Sequence, residues 1–478
     1  RTSMGNHSEI NELTNHTIMA EALEKWPIDL FKEVIPRNYQ IIEEIDRRYL
    51  EEYAEVHEAA LLNRTRIIID GQVHMAHLAI IGSHSVNGVA KLHSDLLKSV
   101  VLHDFYLILP ERFYNKTNGI AQRRWMQLAN QPLSKVLDTT IGKSWRHNPQ
   151  DLQLLKNYQE DPTVLQRLAD AKLTNKQALA EYIQQTTGIE VDPTAIFDVQ
   201  IKRLHAYKRQ LLNVMHILKL YFDLKDDPQT PIHPRVFIFG AKAAPSYHYA
   251  KAIIKVINEV ANLINHDPAI NDKLKVVFLE NYNVTLAERI IPAADVSEQI
   301  SLASKEASGT SNMQLMLNGA VTIATLDGAN IEIRDAIGDE NIAIFGLTEE
   351  EVYAYYAQQN YSAYAFYEED PVLQRVVNAF IDGTIPNIER EGREVFDSLL
   401  KYNDEYFLLK DFKSYCDAQY RVDLAYKDQQ RWQAISLMNI ANAGKFSADY
   451  TVQNYADDIW QIEPLYAHVK EPNSASLT

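Results

Sequence analysis

Short apolar runs alternate with helical segments after residue 190, and this alternation constrains the fold more than any other feature of the sequence. Each run is about the length of one strand and carries few charges, which is typical of strands buried on both faces. The intervening segments, such as 247–264, have the spacing of crossover helices. We therefore expect a parallel sheet with helices on both faces and with ligands bound beyond the carboxyl ends of its strands. The predicted strands are 196–201, 236–239, 276–279, 321–326 and 342–345.

Residues 1–117 have a different spacing of apolar residues, which predicts a mostly helical segment. Apolar residues recur at steps of three and four across 39–60, with charged residues between them, and this spacing predicts an amphipathic helix. The same spacing recurs over 89–100. The apolar run 105–109 has the composition of a strand, which Pro110 would end.

The segment between these two regions, residues 120–190, is helical and polar in character, and we expect it to cover the sheet. The chain has no long Gly/Ser or Pro linker, so any domain boundary must lie in a short turn. Asn118-Gly119 is the candidate for that boundary.

The balance of charges and the cysteine count exclude several classes of protein. A net charge of −17 repels a phosphate backbone, so we exclude general nucleic-acid binding. The single cysteine, Cys416, excludes an internal disulfide framework and favours a reducing, cytoplasmic location. No apolar stretch approaches the roughly 18–20 residues that a bilayer-spanning helix needs, so we expect no membrane association.

The histidines and the short motifs exclude further kinds of site. His74, His77, His84 and His93 are scattered rather than set at zinc-ligand spacing, so we predict no metal site. The sequence also contains no nucleophile elbow, P-loop lysine pattern or dinucleotide fingerprint. Hydrolase, NTPase and dehydrogenase functions therefore lack support.

A basic run at 202–209, KRLHAYKR, follows the first predicted strand and precedes a helix. Arginine offers a planar fork of donors and lysine a point charge, and both suit a phosphate group near a helix N-terminus. The alternative is a solvated basic helix face, which is the commoner explanation of a charge run. The pattern alone favours this alternative.

A second polar segment, EASGTSN at 306–312, precedes an apolar helical stretch. Its small residues, hydroxyls and amide suit a backbone nest that binds phosphate or sugar hydroxyls. The same residues also cap helices that bind nothing, and taken alone this second explanation is favoured.

Several longer segments, read in order, match one family. They are NHTIMAEALEKWP at 15–27, MAHLAIIGSHSVNGVAKLHSDLLK at 75–98, KTNGIAQRRW at 116–125, FDVQIKRLHAYKRQLLN at 197–213, AKAAPSYHYAK at 241–251, IPAADVSEQIS at 291–301, EASGTSNM at 306–313 and LNGAVTIATLDGANIEI at 317–333. The chain resembles the glycogen, starch and maltodextrin phosphorylases, the pyridoxal-phosphate-dependent α-glucan phosphorylases. The resemblance covers nearly everything from Asn15 to about Tyr466.

The resemblance implies an α/β fold of the glycosyltransferase-B type, in which two Rossmann-like domains flank a catalytic cleft. On this basis 1–117 is a helical C-terminal remnant of the first domain, 118–466 is the second, cofactor-binding domain, and 467–478 is a tail. Most of the first domain, with a glycine-rich loop that contacts the substrate phosphate, would then be missing. The helix near 449–462 would pack back onto the first domain.

The activity implied by the resemblance belongs to glycogen degradation in the cytoplasm. Orthophosphate cleaves a terminal α-1,4-linked glucose from glycogen or maltodextrin and gives glucose 1-phosphate with retained configuration. The transition state resembles an oxocarbenium ion, so the site must stabilise positive charge on the sugar and protonate the leaving oxygen. The partners implied are α-1,4-glucan, phosphate or glucose 1-phosphate, and further copies of the chain in a homo-oligomer.

The resemblance also assigns roles to individual residues. The predicted catalytic group is Arg203 and Lys208 on the substrate phosphate, Lys202 on the cofactor phosphate, and His16 facing the sugar. The predicted substrate-binding group is Asn118, Tyr207, Glu306, Ser308 and Gly309, and the predicted cofactor-binding group is Trp125, Lys202, Tyr282, Thr310 and the position of Gln314.

Gln314 departs from the family pattern, which has at this position the lysine that forms a Schiff base with pyridoxal phosphate. A carboxamide nitrogen has no basic lone pair and cannot form that bond. Lys305 precedes the motif and is not expected to reach the same point. Because the family uses the phosphate of the cofactor in catalysis, non-covalent binding could retain some activity. Two hypotheses remain open: an impaired phosphorylase, or a non-catalytic remnant that binds glucan, phosphate or a partner chain.

Overall fold

The computed structural model describes Ile18, residues 23–270 and residues 273–463. The predicted tail at 467–478 lies outside the described residues. Of the described part of the chain, no helix has both the length and the apolar character needed to cross a membrane.

Residues 23–117 form a mostly helical layer with two small sheets, as their periodicity predicts. Strands β1 and β2 pair antiparallel with β3, and β4 pairs in parallel with β5. The strands are β1 (Lys25–Pro27), β2 (Ile68–Ile69), β3 (Gln72–His74), β4 (Val86–Gly88) and β5 (Phe113–Asn115). The helices are α1 (Ile28–Val34), α2 (Pro36–Tyr53), α3 (Ala59–Thr65), α4 (Met75–Ile81), α5 (Lys91–Leu96) and α6 (His103–Ile108).

Two predictions for this layer need correction. The helix predicted over 39–60 ends at Tyr53, and Val56 lies in the following turn with 73% of its surface exposed. The strand predicted at 105–109 is wrong, because these residues belong to α6 and its C-terminal end. Phe105, Ile108 and Leu109 are buried while Leu107 is exposed, and this spacing of three and four is helical.

A six-stranded parallel sheet forms the centre of the molecule, as the alternation after residue 190 predicts. Its strands are β6 (Ile196–Ile201), β7 (Arg235–Gly240), β8 (Leu274–Leu279), β9 (Val296–Gln299), β10 (Val321–Ala324) and β11 (Ala343–Ile344). They lie in the order β11-β10-β9-β6-β7-β8, and every neighbouring pair is parallel. This is the order of a doubly wound Rossmann-like sheet, which changes direction between β6 and β9.

Strand β9 is the one central strand that the apolar runs do not predict. Its sequence, VSEQ, is largely polar, yet all four residues are buried. The carboxyl group of Glu298 accepts a hydrogen bond of 2.6 Å from Nε2 of Gln419. Arg235 donates to Oε1 of Gln419 and, at 3.5 Å, to Asp198. A buried polar network therefore takes the place of apolar packing at this strand.

Helices cover both faces of the sheet and continue beyond it. They are α7 (Gln131–Thr140), α8 (Pro162–Thr187), α9 (Gln210–Asp226), α10 (His248–Asn265), α11 (Val284–Ala293), α12 (Ser311–Leu317), α13 (Asn330–Ile337), α14 (Glu349–Gln358), α15 (Ala363–Glu369), α16 (Pro371–Asn378), α17 (Glu389–Leu400), α18 (Leu408–Lys427), α19 (Gln429–Asn442) and α20 (Ala448–Tyr455).

The two faces of the sheet bury separate apolar clusters. Along β7, Phe237 and Phe239 face the cluster that includes α9, α10, α16, α17 and α18, while Val236 and Ile238 face the opposite cluster. That second cluster contains residues of α7, α8, α11, α12, α13 and α19. Residues 120–190 therefore cover one face of the sheet, as predicted.

Helix α20 and the helical turn that follows it, Ala456–Trp460, return to the N-terminal layer. Tyr455 accepts a hydrogen bond of 2.7 Å from Asn87, and Asp458 pairs with Lys116. Arg123 holds the Asp449 carboxylate with two hydrogen bonds of 2.6 and 2.8 Å. The predicted contact of 449–462 with residues up to 117 is thus present, whereas the domain boundary at Asn118-Gly119 stays a prediction.

Candidate functional site

A cavity of about 640 Å³ lies beyond the carboxyl ends of the central strands. Its walls come mainly from the segments that follow β6, β7, β8 and β9, with further residues from 89, 118 and 125. The strand order changes direction between β6 and β9, and a crevice forms at such a point because the two following connections leave in opposite directions. The fold therefore places the cavity where a doubly wound sheet binds its ligands.

Lys202 directly follows β6 and lies at the inner wall of the cavity. Its Nζ donates a hydrogen bond of 2.8 Å to the side-chain oxygen of Gln299, at the end of β9. Burial and the neighbouring positive charge of Lys208 lower the pKa of the Lys202 amine to about 8. The amine is therefore mostly charged at neutral pH and close to losing its proton.

Glu306, Lys208 and Tyr207 form a hydrogen-bonded group in the same cavity. Lys208 pairs with the Glu306 carboxylate, and the Tyr207 hydroxyl donates to the same oxygen at 3.2 Å. The side chains of Lys208 and Glu306 are only 14% and 13% exposed. The cavity thus contains a cation and a carboxylate within reach of one ligand.

The two arginines of the basic run differ in burial: Arg203 is exposed and Arg209 is buried. Arg203 lines the cavity, is exposed, and has no ion pair with any residue in the described ranges. Arg209 points away from the cavity: its guanidinium is buried, donates to Asp411 at 2.7 Å and to the Ile300 carbonyl at 2.8 Å. A solvated basic helix face, which the pattern alone favours, is therefore wrong for Lys202, Lys208 and Arg209.

The predicted nest segment also lines the cavity and contacts the basic run through Glu306. Thr310 occupies the N-cap position of α12, but its side chain accepts no capping hydrogen bond. Gly309 has a φ of +80°, and Asn312 donates to the Ser308 carbonyl at 3.3 Å. Simple helix capping, the explanation that the segment alone favours, is therefore wrong for Thr310.

Aromatic, hydroxyl and amide side chains line the end of the cavity near α12, namely Trp125, Tyr282, Ser311 and Gln314. Burial raises the pKa of the Tyr282 hydroxyl to about 12. The apolar rings together with the Lys202 amine fit a flat ring that carries a phosphate. No amine stands at Gln314, and Lys305 is not among the lining residues, since it lies over the Tyr356 ring. These residues fit pyridoxal phosphate held without a covalent bond and do not fit a covalent attachment at 314.

The cavity brings together every predicted site residue that the structure describes. These are Asn118, Trp125, Lys202, Arg203, Tyr207, Lys208, Tyr282, Glu306, Ser308, Gly309, Thr310 and Gln314. His16 lies outside the described residues. The roles assigned to the individual residues stay predictions.

Several lining residues were missed by the sequence reasoning. Lys242 follows β7, and Asn283 follows β8, so the rule that ligands bind beyond strand ends could have found both. Gln299 belongs to the unpredicted strand β9, and no signal in the apolar pattern points to it. In the described ranges no group of three or more His, Cys, Asp or Glu residues could hold a metal ion.

Comparison with known proteins adds an independent observation. The sequence profile of the family described as carbohydrate phosphorylase matches residues 4–462. The chain is 52% identical over 454 residues to "Glycogen phosphorylase" of Bacillus subtilis, a match that covers 95% of this chain and 57% of that protein. It is 46% identical over 464 residues to "Glycogen phosphorylase" of a Synechocystis species, covering 96% of this chain and 54% of that protein.

A mammalian relative matches in the same way. "Glycogen phosphorylase, muscle form" of Oryctolagus cuniculus is 42% identical over 465 residues, covering 96% of this chain and 55% of that protein. The chain spans a little more than half the length of these relatives. The expectation that most of a first domain is missing is not borne out by the matches, which extend over nearly the whole chain. The chain belongs to the carbohydrate phosphorylase family and has an α/β fold of the glycosyltransferase-B type.

Proposed function

We propose that the cavity carries out reversible phosphorolysis of terminal α-1,4-linked glucose from a glucan such as glycogen or maltodextrin. One observation carries this proposal: at the point where the sheet changes direction, three cationic side chains, Lys202, Arg203 and Lys208, share one cavity with the carboxylate of Glu306. Such a site offers separate partners for a phosphate group and for sugar hydroxyls.

One set of residues is proposed to bind the phosphate and another set the terminal sugar. Arg203 and Lys208 are proposed to bind the substrate phosphate, because both are cationic, both line the cavity and the family resemblance assigns them this role. Glu306, Ser308, Gly309, Tyr207 and Asn118 hold sugar hydroxyls, and the Glu306 carboxylate also favours positive charge that develops on the sugar. His16 is proposed to face the sugar, on the family resemblance alone.

The proposed cofactor is pyridoxal phosphate, held without a covalent bond. When bound, it supplies a phosphate group that takes part in acid–base chemistry beside the substrate phosphate. Lys202 would hold that phosphate, while Trp125, Tyr282 and Thr310 would surround the ring. Since Gln314 provides no covalent link, retention depends on these contacts, and we expect turnover to be impaired.

Glucose 1-phosphate release tests the proposed reaction. The purified chain is incubated with maltodextrin, phosphate and added pyridoxal phosphate, and glucose 1-phosphate is measured over time. Glu306→Gln and the double variant Arg203→Ala/Lys208→Ala should abolish the release. Lys413→Ala, an exposed lysine of α18 with 80% side-chain exposure, is the matched control and should keep it. Release that survives the loss of Arg203 and Lys208 would contradict the proposed phosphate site.

A second function, a non-catalytic protein that binds glucan, phosphate or a partner chain, is favoured by Gln314. It predicts that glucose 1-phosphate binds in calorimetry while no release is detected at any cofactor concentration. Release that depends on added pyridoxal phosphate would exclude it. Assembly into a homo-oligomer and a cytoplasmic location remain proposals that follow from the family.

A further inference from the structure

The loop that follows β9 carries Glu306 into the cavity, and its backbone has a strained conformation. Ser304 has a φ of +77°, a left-handed value that costs energy in any residue other than glycine. The loop therefore needs support from elsewhere to keep this shape. Part of it comes from Leu302, whose amide donates to the Tyr207 carbonyl at 3.0 Å.

The main support is the side chain of Asp327, in the loop that follows β10. One carboxylate oxygen accepts hydrogen bonds from the amides of Ser304 and Gly328, both at 3.0 Å. The other oxygen accepts from the amide of Glu306 at 2.8 Å and from the Ser301 hydroxyl at 2.9 Å. Four donors thus converge on one carboxyl group, and three of them belong to the segment 301–306.

Asp327 is fully buried and does not line the cavity. The titratable groups around it are Glu306, Lys202, Lys305 and Tyr353. Burial, followed by the nearby charge of Glu306, raises the pKa of the Asp327 carboxyl to about 7, against the lowering effect of its hydrogen bonds. The group therefore changes charge near neutral pH although it cannot touch a ligand.

We propose that Asp327 is a positioning residue, which holds the segment 301–309 so that the Glu306 carboxylate faces the sugar. This inference rests on the proposed function for its choice of ligand. The hydrogen-bond partners of Asp327 lie in its own loop and in the loop after β9, and none of them is in the basic run after β6, so its larger effect is expected on the sugar side.

Protonation of Asp327 would weaken this support. A neutral carboxyl group carries a hydrogen on one oxygen and is a weaker acceptor than a carboxylate, so the hydrogen bonds that it accepts from the loop amides weaken. The sugar side should therefore be ordered above about pH 7 and loosened below it, in the direction set by the raised pKa of Asp327.

Hydrogen exchange and ligand binding test the proposal on the full chain. Asp327→Asn should accelerate amide exchange in peptides that cover 301–309. At pH 8 it should weaken D-glucose binding at least about tenfold, the loss expected when a buried donor has no partner. The affinity for inorganic phosphate should stay within about twofold. The matched control is Asp404→Asn, another buried carboxyl with a raised pKa, which should change none of these quantities.

Two further measurements guard against a variant that fails to fold. In the unchanged protein, D-glucose affinity should rise between pH 6 and pH 8. In Ser301→Ala, which removes one donor from Asp327, the midpoint of this rise should move to higher pH, because a carboxylate with fewer donors has a higher pKa. Glucose is uncharged in this range, so its own titration does not interfere.

The outcomes separate this proposal from the proposed function. Unchanged exchange in 301–309 of Asp327→Asn, or equal weakening of glucose and phosphate binding, would overturn the positioning role. A flat pH profile for glucose would do the same. If the unchanged protein binds no glucose, the sugar site of the proposed function is refuted, and the exchange measurement alone then decides whether Asp327 holds the loop.

Discussion

At the scale of single residues, Lys202 combines burial with a place in the wall of the cavity. Its amine is held by the Gln299 side chain at the inner wall of the cavity and has a pKa lowered to about 8. At a given pH near 8, a lysine with this lowered pKa is protonated in a smaller fraction of molecules than an exposed lysine, and this fraction responds to small changes in pH. The positive charge that the cavity offers to a phosphate is therefore itself dependent on pH.

Phosphate affinity should fall as the pH rises through about 8. Lys202 is protonated below its pKa and neutral above it, so the cavity loses one positive charge in this window. Calorimetry with inorganic phosphate between pH 7.5 and pH 9.5 measures the effect. Lys202→Arg, which stays charged, should flatten the profile, and an unchanged slope in that variant would contradict the assignment.

Gln314 leads to a prediction about cofactor attachment. The purified chain, incubated with pyridoxal phosphate and treated with borohydride, should show no stable mass increase at 314, because a carboxamide cannot form the reducible bond. Gln314→Lys should gain an adduct that maps to its own peptide. An adduct of the unchanged chain on the peptide containing Gln314 would refute the prediction.

The sequence predicts the charged residues of the cavity better than the groups that hold them. Lys202 and Glu306 stand in segments that are compatible with anion and hydroxyl binding, and the family resemblance favours these roles over a solvated basic face and simple helix capping. Gln299 and Asp327 do not, since a single glutamine or aspartate has no local pattern, and their role depends on contacts between loops that are distant in sequence.

At the scale of secondary-structure elements, β9 shows how a strand can be central and polar. Glu298 and Asp198 lie on neighbouring strands, both fully buried, with Arg235 as their cationic neighbour. Burial and the charge of Asp198 raise the pKa of Glu298 well above its ordinary value, which favours the protonated, neutral form of this carboxyl group.

Glu298→Gln should therefore change the free energy of unfolding by less than about 1 kcal/mol at pH 7, since an amide replaces a neutral carboxyl of the same shape. Arg235→Met should cost about 3–5 kcal/mol, because it leaves the Asp198 charge buried without a partner. Urea unfolding of both variants measures the difference. Equal losses would mean that Glu298 is ionised in the folded protein.

The sequence predicts the strands whose buried residues are apolar and does not predict the strand whose buried residues are mostly polar. The bounds predicted for β6 match those observed, and β7 and β8 extend by one or two residues beyond the predicted runs. Hydrophobicity does not predict the polar strand β9, because its buried residues are mostly polar. Conversely, the apolar run at 105–109 predicts a strand but forms a helix, because a run of five apolar residues is compatible with both periods.

At the scale of the whole molecule, the C-terminal helix α20 packs against residues 87–123, which precede the sheet in the chain. Gly119 lies at this contact, where an added Cβ would come within 2.5 Å of the Ser447 carbonyl oxygen and of Thr451 Oγ1. The next residue, Ile120, donates a backbone hydrogen bond to Phe446 and accepts one from Ala448. The predicted boundary turn thus touches the C-terminal helix directly.

Gly119→Ala should loosen this contact and leave the sheet intact. The new methyl group requires a backbone shift at Ser447, with an expected cost of about 1–3 kcal/mol. Hydrogen exchange should increase in peptides from 86–117 and 448–460 but not in those from β6 to β8. Gln453→Ala, on the exposed side of α20, is the control. Faster exchange in the sheet as well would show that the two regions do not behave as separate units.

The strand order also has a kinetic consequence. β6 and β9 are neighbours, yet the hydrogen bond between Phe197 and Asp295 joins residues 98 positions apart. Such a pairing closes a long loop and is entropically slow, so it is expected late in folding. A ribosome that adds 5–20 residues per second needs roughly 5–20 s to pass from one strand to the other. A nascent chain therefore exposes Lys202 and Lys208 well before Glu306, which will share the cavity with them, has been synthesised.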